Sequence, residues 1–237
     1  MAAAQGINIV LRGRFNPAIF SPLWLQVNGL ISATELENAE LGVITAEFVE
    51  FSVGSIAIKG TSDALQVGTA AIEDSERSRD IMLGILSQLT HTPVSLMGIN
   101  RDFHFSVPDA ARWHEIGDIL APKEIWNSIL NVPGMLSLAV RGERDDALGG
   151  SINVQVEPSR AVTPGVYVNV NSHFALVAEA IKISARDQVF KVDPAELQAA
   201  TPEKNERARE ILRDVWEASF NSMDRIAHAV IAVRRRA

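Results

Sequence analysis

The chain has 237 residues, 47% of them hydrophobic and 22% charged, with a formal net charge of −7 and no cysteine. That is enough apolar material to bury a core, either in one large domain or in two small ones that share it. The acidic balance argues against a broad nucleic-acid footprint, which needs a dense basic surface. Zero cysteine removes disulfides, thiolate metal sites and cysteine nucleophiles, and fits a reducing compartment. Met1-Ala2-Ala3-Ala4-Gln5-Gly6 has no basic run and no sustained apolar one, so it does not read as a signal peptide. No segment reaches the apolar length of a membrane span. A cytoplasmic protein is expected.

In chain order, Gly6 to Gly13 reads as a strongly apolar strand, central in a sheet. Asn16-Pro17 suits a helix start, and Ile19, Phe20, Leu23, Trp24 and Val27 keep one helical face apolar, with Pro22 kinking or dividing the segment. Ser32 with Glu35 matches a capping box for a second short helix. Strands follow: a long one from Val43 to Val53 with apolar residues on both faces, then Ser55 to Lys59 and Ala64 to Val67. A helix from Glu73 to about Leu89 puts Ile81, Met82, Ile85, Leu86 and Leu89 on one stripe.

From Thr92-Pro93 the order starts again. A strand runs through Phe105, with a bulge expected near Gly98. Asp109 opens a helix carrying Trp113 and Ile116, and a short helix is expected from Lys123 to Leu130. Three alternating strands follow, on Leu136/Leu138/Val140, Ile152/Val154/Val156 and Val166/Val168/Val170, each with one buried face and one wet or partner-facing face. Asp145 to Gly150 supplies a hairpin turn. Phe174 to Ile183 is read as a helix. The last helix, Glu203 to Val233, would be about 45 Å long, with Leu212, Trp216, Phe220, Met223, Ile226, Ala227 and Val230 as its stripe and Arg234-Arg235-Arg236 at its negative end. Trp24, Trp113, Trp126 and Trp216 read as core anchors of four helices.

The two passages match. Glu76-Arg77-Ser78-Arg79-Asp80-Ile81-Met82 returns as Glu206-Arg207-Ala208-Arg209-Glu210-Ile211-Leu212, each opening an amphipathic helix after a group of strands. The expected fold is therefore α+β: two pseudo-repeated β-α-βββ-α units, residues 1–91 and 92–237, the second with an insertion near 172–202. Their strands join in one mostly antiparallel sheet covered by helices.

No nucleotide-binding glycine loop and no serine-elbow motif occurs. Asn100-Arg101-Asp102-Phe103-His104 is the densest polar cluster in an apolar strand. Arg101 faces one way with Phe103 and Phe105, while Asn100, Asp102 and His104 face the other. Asp102 and His104 could orient one another for acid–base work, or simply form a wet face. Asn169, Asn171 and His173 project together from another strand, and with Asn153, Gln155 and Glu157 they would make a polar surface for a small polar ligand, a peptide or water. Arg101, Asp102, His104, Asn169, Asn171 and His173 are the candidate ligand- or partner-binding residues. His114 and Asp118 share a helix face but make only two metal ligands, so no metal site, cofactor or catalytic residue is assigned.

Asn16-Pro17-Ala18-Ile19-Phe20, His91-Thr92-Pro93 with Gly98-Ile99-Asn100, and Leu120-Ala121-Pro122-Lys123-Glu124 followed by Trp126 resemble segments of a bacterial hypothetical-protein family of similar length. That family carries no activity to transfer. The element order also resembles the duplicated saddle of TATA-box-binding proteins, at the level of fold alone. The expected function is that of a non-enzymatic binding or assembly subunit, itself a homodimer by default, which contacts another protein through its sheet face or long terminal helix. A small-ligand-binding protein or enzyme with a pocket between sheet and helices is the alternative. Nucleic-acid association through Arg12, Arg14, Arg141, Arg144 and the arginine tail comes third.

Overall fold

The computed structural model describes residues 1–144, 146, 148–176 and 201–234. Its strands are β1 (Ala4–Gly13), β2 (Glu40–Ile44), β3 (Phe48–Val53), β4 (Ile56–Thr61), β5 (Ala64–Thr69), β6 (Val94–Ser106), β7 (Leu138–Glu143), β8 (Ser151–Pro158) and β9 (Gly165–Ala175). The helices are α1 (Pro22–Val27), α2 (Ala33–Glu37), α3 (Ser75–Gln88), α4 (Ala110–Leu120), α5 (Thr201–Glu210) and α6 (Trp216–Ala232). All nine strands form one antiparallel sheet in the order β2-β3-β4-β5-β1-β6-β9-β8-β7. β1 and β6 lie side by side at its centre. Each is flanked by the last strand of its own half of the chain, β5 and β9.

Period two explains the layering. Ile7, Ile9 and Leu11 of β1 and Ile99, Phe103 and Phe105 of β6 turn to one face and are buried. Helices lie on that face. α3 places Ile81, Met82, Ile85 and Leu86 in the core, against β5 and β1. α6 places Trp216, Met223 and Ala227 there, against β9 and β6. Between α5 and α6, Ile211–Val215 form a π-helical turn that keeps Ile211, Leu212 and Trp216 all buried. No helix among the described residues is long and apolar enough to cross a membrane.

Local chemistry sets several boundaries. Ser21 caps α1 by accepting from Trp24 N at 3.1 Å, so Pro22 divides the segment and opens the helix. The preceding turn, Pro17–Ile19, is a separate 3-10 helix. The Ser32–Glu35 capping box is complete, at 3.1 and 2.7 Å. β1 shifts register between Arg12 and Gly13, where a Cβ on Gly13 would lie 2.1 Å from the Pro93 carbonyl oxygen.

Several expectations are corrected. The bulge expected near Gly98 lies three residues earlier on the same strand, at Ser95, the extra β6 residue where Arg12 and Gly13 oppose Leu96 and Val94; β6 pairs with β9 without interruption past Gly98. Val43 to Val53 is two strands, because the Thr45 hydroxyl accepts from Phe48 N at 3.0 Å and from Glu47 N at 3.3 Å and closes a turn. The first half thus has four strands after its helices instead of three. Lys123 to Leu130 is a pair of turns on the Lys123 and Trp126 carbonyls, and Trp126 is 45% exposed instead of anchoring a core. β7 buries no face, since Ala139 to Glu143 are all exposed at the sheet edge. Phe174 and Ala175 end β9 and are not helical. Residues 177–183 of that expected helix, most of the 172–202 insertion, and Arg235 and Arg236 lie outside the described residues.

Candidate functional site

No helix or strand among the described residues covers the face opposite the helices. Register stacks its polar residues in rows across the strands. Asn8 of β1 lies opposite Asn100 of β6, Asn100 opposite Asn171 of β9, and Asn171 opposite Asn153 of β8. Their amides hydrogen-bond in one direction. Arg141 Nε donates to Asn153 Oδ1 at 2.7 Å, and Asn153 Nδ2 to Asn171 Oδ1 at 3.5 Å. Asn171 Nδ2 donates to Asn100 Oδ1, and Asn100 Nδ2 to the Asn8 carbonyl at 3.2 Å. Asn8 Nδ2 then donates to Gln66 Oε1 at 3.1 Å. The row crosses six strands and starts at a cation; from Arg141 to Asn100 it runs through side-chain amides, where successive hydrogen bonds polarise one another, and at Asn8 it passes from the backbone carbonyl to the side-chain amide.

Beside this row lies an open trough of about 700 Å³. Small residues make its floor, among them Gly6, Ala57 and Gly68. A Cβ on Gly68 would sit 2.5 Å from the Ile7 carbonyl oxygen and 3.0 Å from Asn8 Oδ1, so the floor there has room only for hydrogen. Asn8, Lys59 and Gln66 line one side, Asp102, His104 and Tyr167 another. Tyr167 Oη donates to Asp102 Oδ1, which also accepts from Asn169 Nδ2 at 2.9 Å. Burial, then the hydrogen bond to the Asp102 carboxylate and its charge, push the Tyr167 phenol well above its ordinary range and hold it neutral.

His104 packs against Tyr167 with ring centroids 4.9 Å apart and planes tilted by 38°, and its Nδ1 lies 2.9 Å from Ser159 Oγ. Ser159 Oγ already accepts from the amides of Ala161 and Val162, each at 3.1 Å. Its proton therefore goes to His104 Nδ1, and the imidazole carries its own proton on Nε2. With its lone pairs held by two amides, the Ser159 hydroxyl closes a turn. The trough can donate from His104 Nε2 and accept at Asp102.

Five of the six candidate residues share the open face: Asp102 and His104 on β6, and Asn169, Asn171 and His173 on β9. The half-buried His173 has its imidazole pushed down, by burial first and the nearby Arg141 second. Arg101 is not with them. It lies 1% exposed on the covered face, donating to Gln5 Oε1 at 3.0 Å, 3.2 Å from Asp224 of α6, and stacked on Phe220 and Phe103 at 3.8 and 4.7 Å from their ring centroids. Burial pulls its pKa down, and Asp224 and Asp102 oppose that. Arg101 fastens the terminal helix to the sheet. Asp118 pairs with Lys123 at 2.6 Å, and His114 packs beside Trp113. Among the described residues no three His, Asp or Glu side chains converge to hold a metal.

Asn8, Gln66, Ser159 and Tyr167 complete the site and were not singled out from the sequence. Tyr167 had a visible signal, since it occupies the same alternation as Asn169, Asn171 and His173 and is the chain's sole tyrosine. The protein-family models and the curated proteins compared with this chain return no match.

Proposed function

We propose that this chain is a non-enzymatic binding subunit that meets a protein partner across its open sheet face. The observation that carries the reading is the amide chain from Arg141 to Gln66. It fixes the orientation of each asparagine, and leaves on each amide an N–H or a lone pair for a partner's polar groups. The terminal helix is the weaker candidate surface. Its large apolar residues are turned to the sheet, and its exposed positions Glu217, Ala218, Asn221, Arg225, His228, Ala229 and Ala232 hold no large apolar side chain. We place the protein in the cytoplasm.

The reading extends to origin: the two halves are copies of one unit. What supports it is the matched heptads, whose Ser78, Ile81 and Met82 have the same deep burial as Ala208, Ile211 and Leu212. Arg77 and Arg207 each donate to a leucine carbonyl, Leu30 at 2.8 Å and Leu148 at 3.1 Å.

Photo-crosslinking residues placed at Asn169 and Gln155 on the open face, and at Asn221 and Arg225 on the helix, test the function in cells. Adducts to a defined protein are expected from the first pair and not the second; adducts from the helix pair alone overturn the proposal. A second reading takes the trough as the seat of a small polar ligand, favoured by the convergence of Asp102, His104 and Tyr167 at one side of it. On that reading the open face yields no protein adduct, and a thermal-shift screen returns a metabolite whose stabilisation His104→Ala removes.

A further inference from the structure

The sheet ends in two unlike edges. At one, β2 shifts register between Leu41 and Val43, an irregularity of the kind that keeps edge strands from pairing with another chain. At the other, β7 pairs with β8 in unbroken register from Leu138 to Glu143, and among the described residues no strand lies beyond it in the sheet. It contains no proline, and its residues from Ala139 onward are exposed. Edge strands commonly carry charge to stay unpaired. The charges of β7 are instead one cation and one anion, Arg141 and Glu143, on the same face and on either side of Gly142.

That pattern is self-complementary. Two antiparallel copies of a strand can pair only residues of equal parity, because alternate residues point their backbone groups outward. With a twofold axis at Gly142, Arg141 of each copy falls opposite Glu143 of the other. An axis at Arg141 would oppose two guanidiniums, and one at Glu143 two carboxylates. An axis at Val140 would leave Arg141 facing Ala139. A Cβ at Gly142 meets nothing within 4 Å, so the axis position is open.

One strand pair alone is small. The segment leading into β7 supplies the rest: Ile125, Trp126, Ile129, Leu130, Val132 and Leu136 are between 45% and 88% exposed. At on the order of 100 Å² apiece they approach, together with β7, the roughly 800 Å² per partner of a stable interface. Exposed apolar side chains in such number mark a contact surface. We infer that the β7 edge is where two copies of this chain join, antiparallel about an axis at Gly142, with the apolar segment 125–136 buried in the same contact. The joined sheets would present one continuous open face of eighteen strands.

The chain has no cysteine, so single introduced thiols report the geometry cleanly. Gly142→Cys is expected to oxidise to a covalent dimer, since facing residues of an antiparallel pair meet disulfide distances. Val43→Cys on the opposite edge is the control and should stay unlinked. Analytical ultracentrifugation should show the natural chain as a dimer. Arg141→Glu should raise its dissociation constant roughly tenfold or more, and the double exchange R141E/E143R should restore it. Restoration separates lost pairing from lost folding. The inference is overturned if the natural chain stays monomeric up to about 1 mM, if Arg141→Glu leaves the dimer unchanged, if the double exchange fails to recover it, or if Val43→Cys cross-links faster than Gly142→Cys.

Discussion

Arg101 and Asp102 are neighbours on β6, opposite in charge, and turned to opposite sides of the sheet. On the covered side, Arg101 is held by one carboxylate, one amide and two aromatic rings, and it joins the terminal helix to the sheet. On the open side, Asp102 is held by two neutral donors, Tyr167 and Asn169, that leave the carboxylate facing the trough. The same strand thus uses one charge to close the fold and the next to keep a surface ordered and available. Burial separates these roles. A buried charge must be matched before the protein is stable, whereas an exposed one has water as its alternative partner.

The contrast is broken most strongly by truncating one side chain on each face. Phe103→Ala, on the covered face, should cost about 3–5 kcal/mol, while Asn171→Ala, on the open face, should cost about 1 kcal/mol or less. Urea unfolding of the two variants measures both. Equal losses would mean that the open face is part of the stabilising core.

Next in size is the helix latch. Asp224→Ala leaves a guanidinium that is 1% exposed without its carboxylate and should lower stability by about 3 kcal/mol. Arg101→Met replaces the buried charge with an apolar side chain, so it should cost less than Asp224→Ala and could stabilise. Thermal melts of the two variants decide; a larger loss in Arg101→Met would show that the cation's attractions exceed its desolvation cost.

How much of this was legible in the sequence depends on the kind of feature. The period-two pattern of β6 and β9 separates Arg101 from Asp102 and His104, and groups Asn169 with Asn171 and His173, because side-chain alternation is local. The Ser32–Glu35 cap and the break at Pro22 are local too. Periodicity cannot say whether anything covers a face, and so the alternation of Leu136, Leu138 and Val140 suggested burial that β7, at the edge, does not have. The asparagine row was invisible for another reason. Asn8, Asn100, Asn153 and Asn171 align only after β1, β6, β9 and β8 take their order and register. The trough likewise draws its lining from residues as far apart as Ala4 and Tyr167. The Thr45 turn that splits β2 from β3 depends on a single hydroxyl, a signal too small to outweigh a long apolar run.

The smallest expected effect sharpens the open side of the comparison. Tyr167 is the sole tyrosine, so the near-ultraviolet phenolate band reports it alone. Its folded pKa is raised, by burial first and by Asp102 second. Its contribution is therefore fully present below the ordinary phenol value of about 10 and is lost as pH rises from there toward the folded value. The phenolate band should appear only as the protein unfolds in alkali. Tyr167→Phe should cost about 1 kcal/mol at neutral pH and flatten the alkaline fall in melting temperature. A phenolate that forms in the folded protein near pH 10 would contradict the buried pair.

The seam between β1 and β6 carries ten paired residues, from Ala4 opposite His104 to Gly13 opposite Val94. The two halves of the chain are thereby made mutually dependent. Cut apart in the loop after α3, each would carry along one flank a row of unmet amides and carbonyls as long as its own central strand. Neither piece would be a finished object: each would be the missing neighbour of the other, and the peptide link between them serves to guarantee that the right neighbour is always at hand.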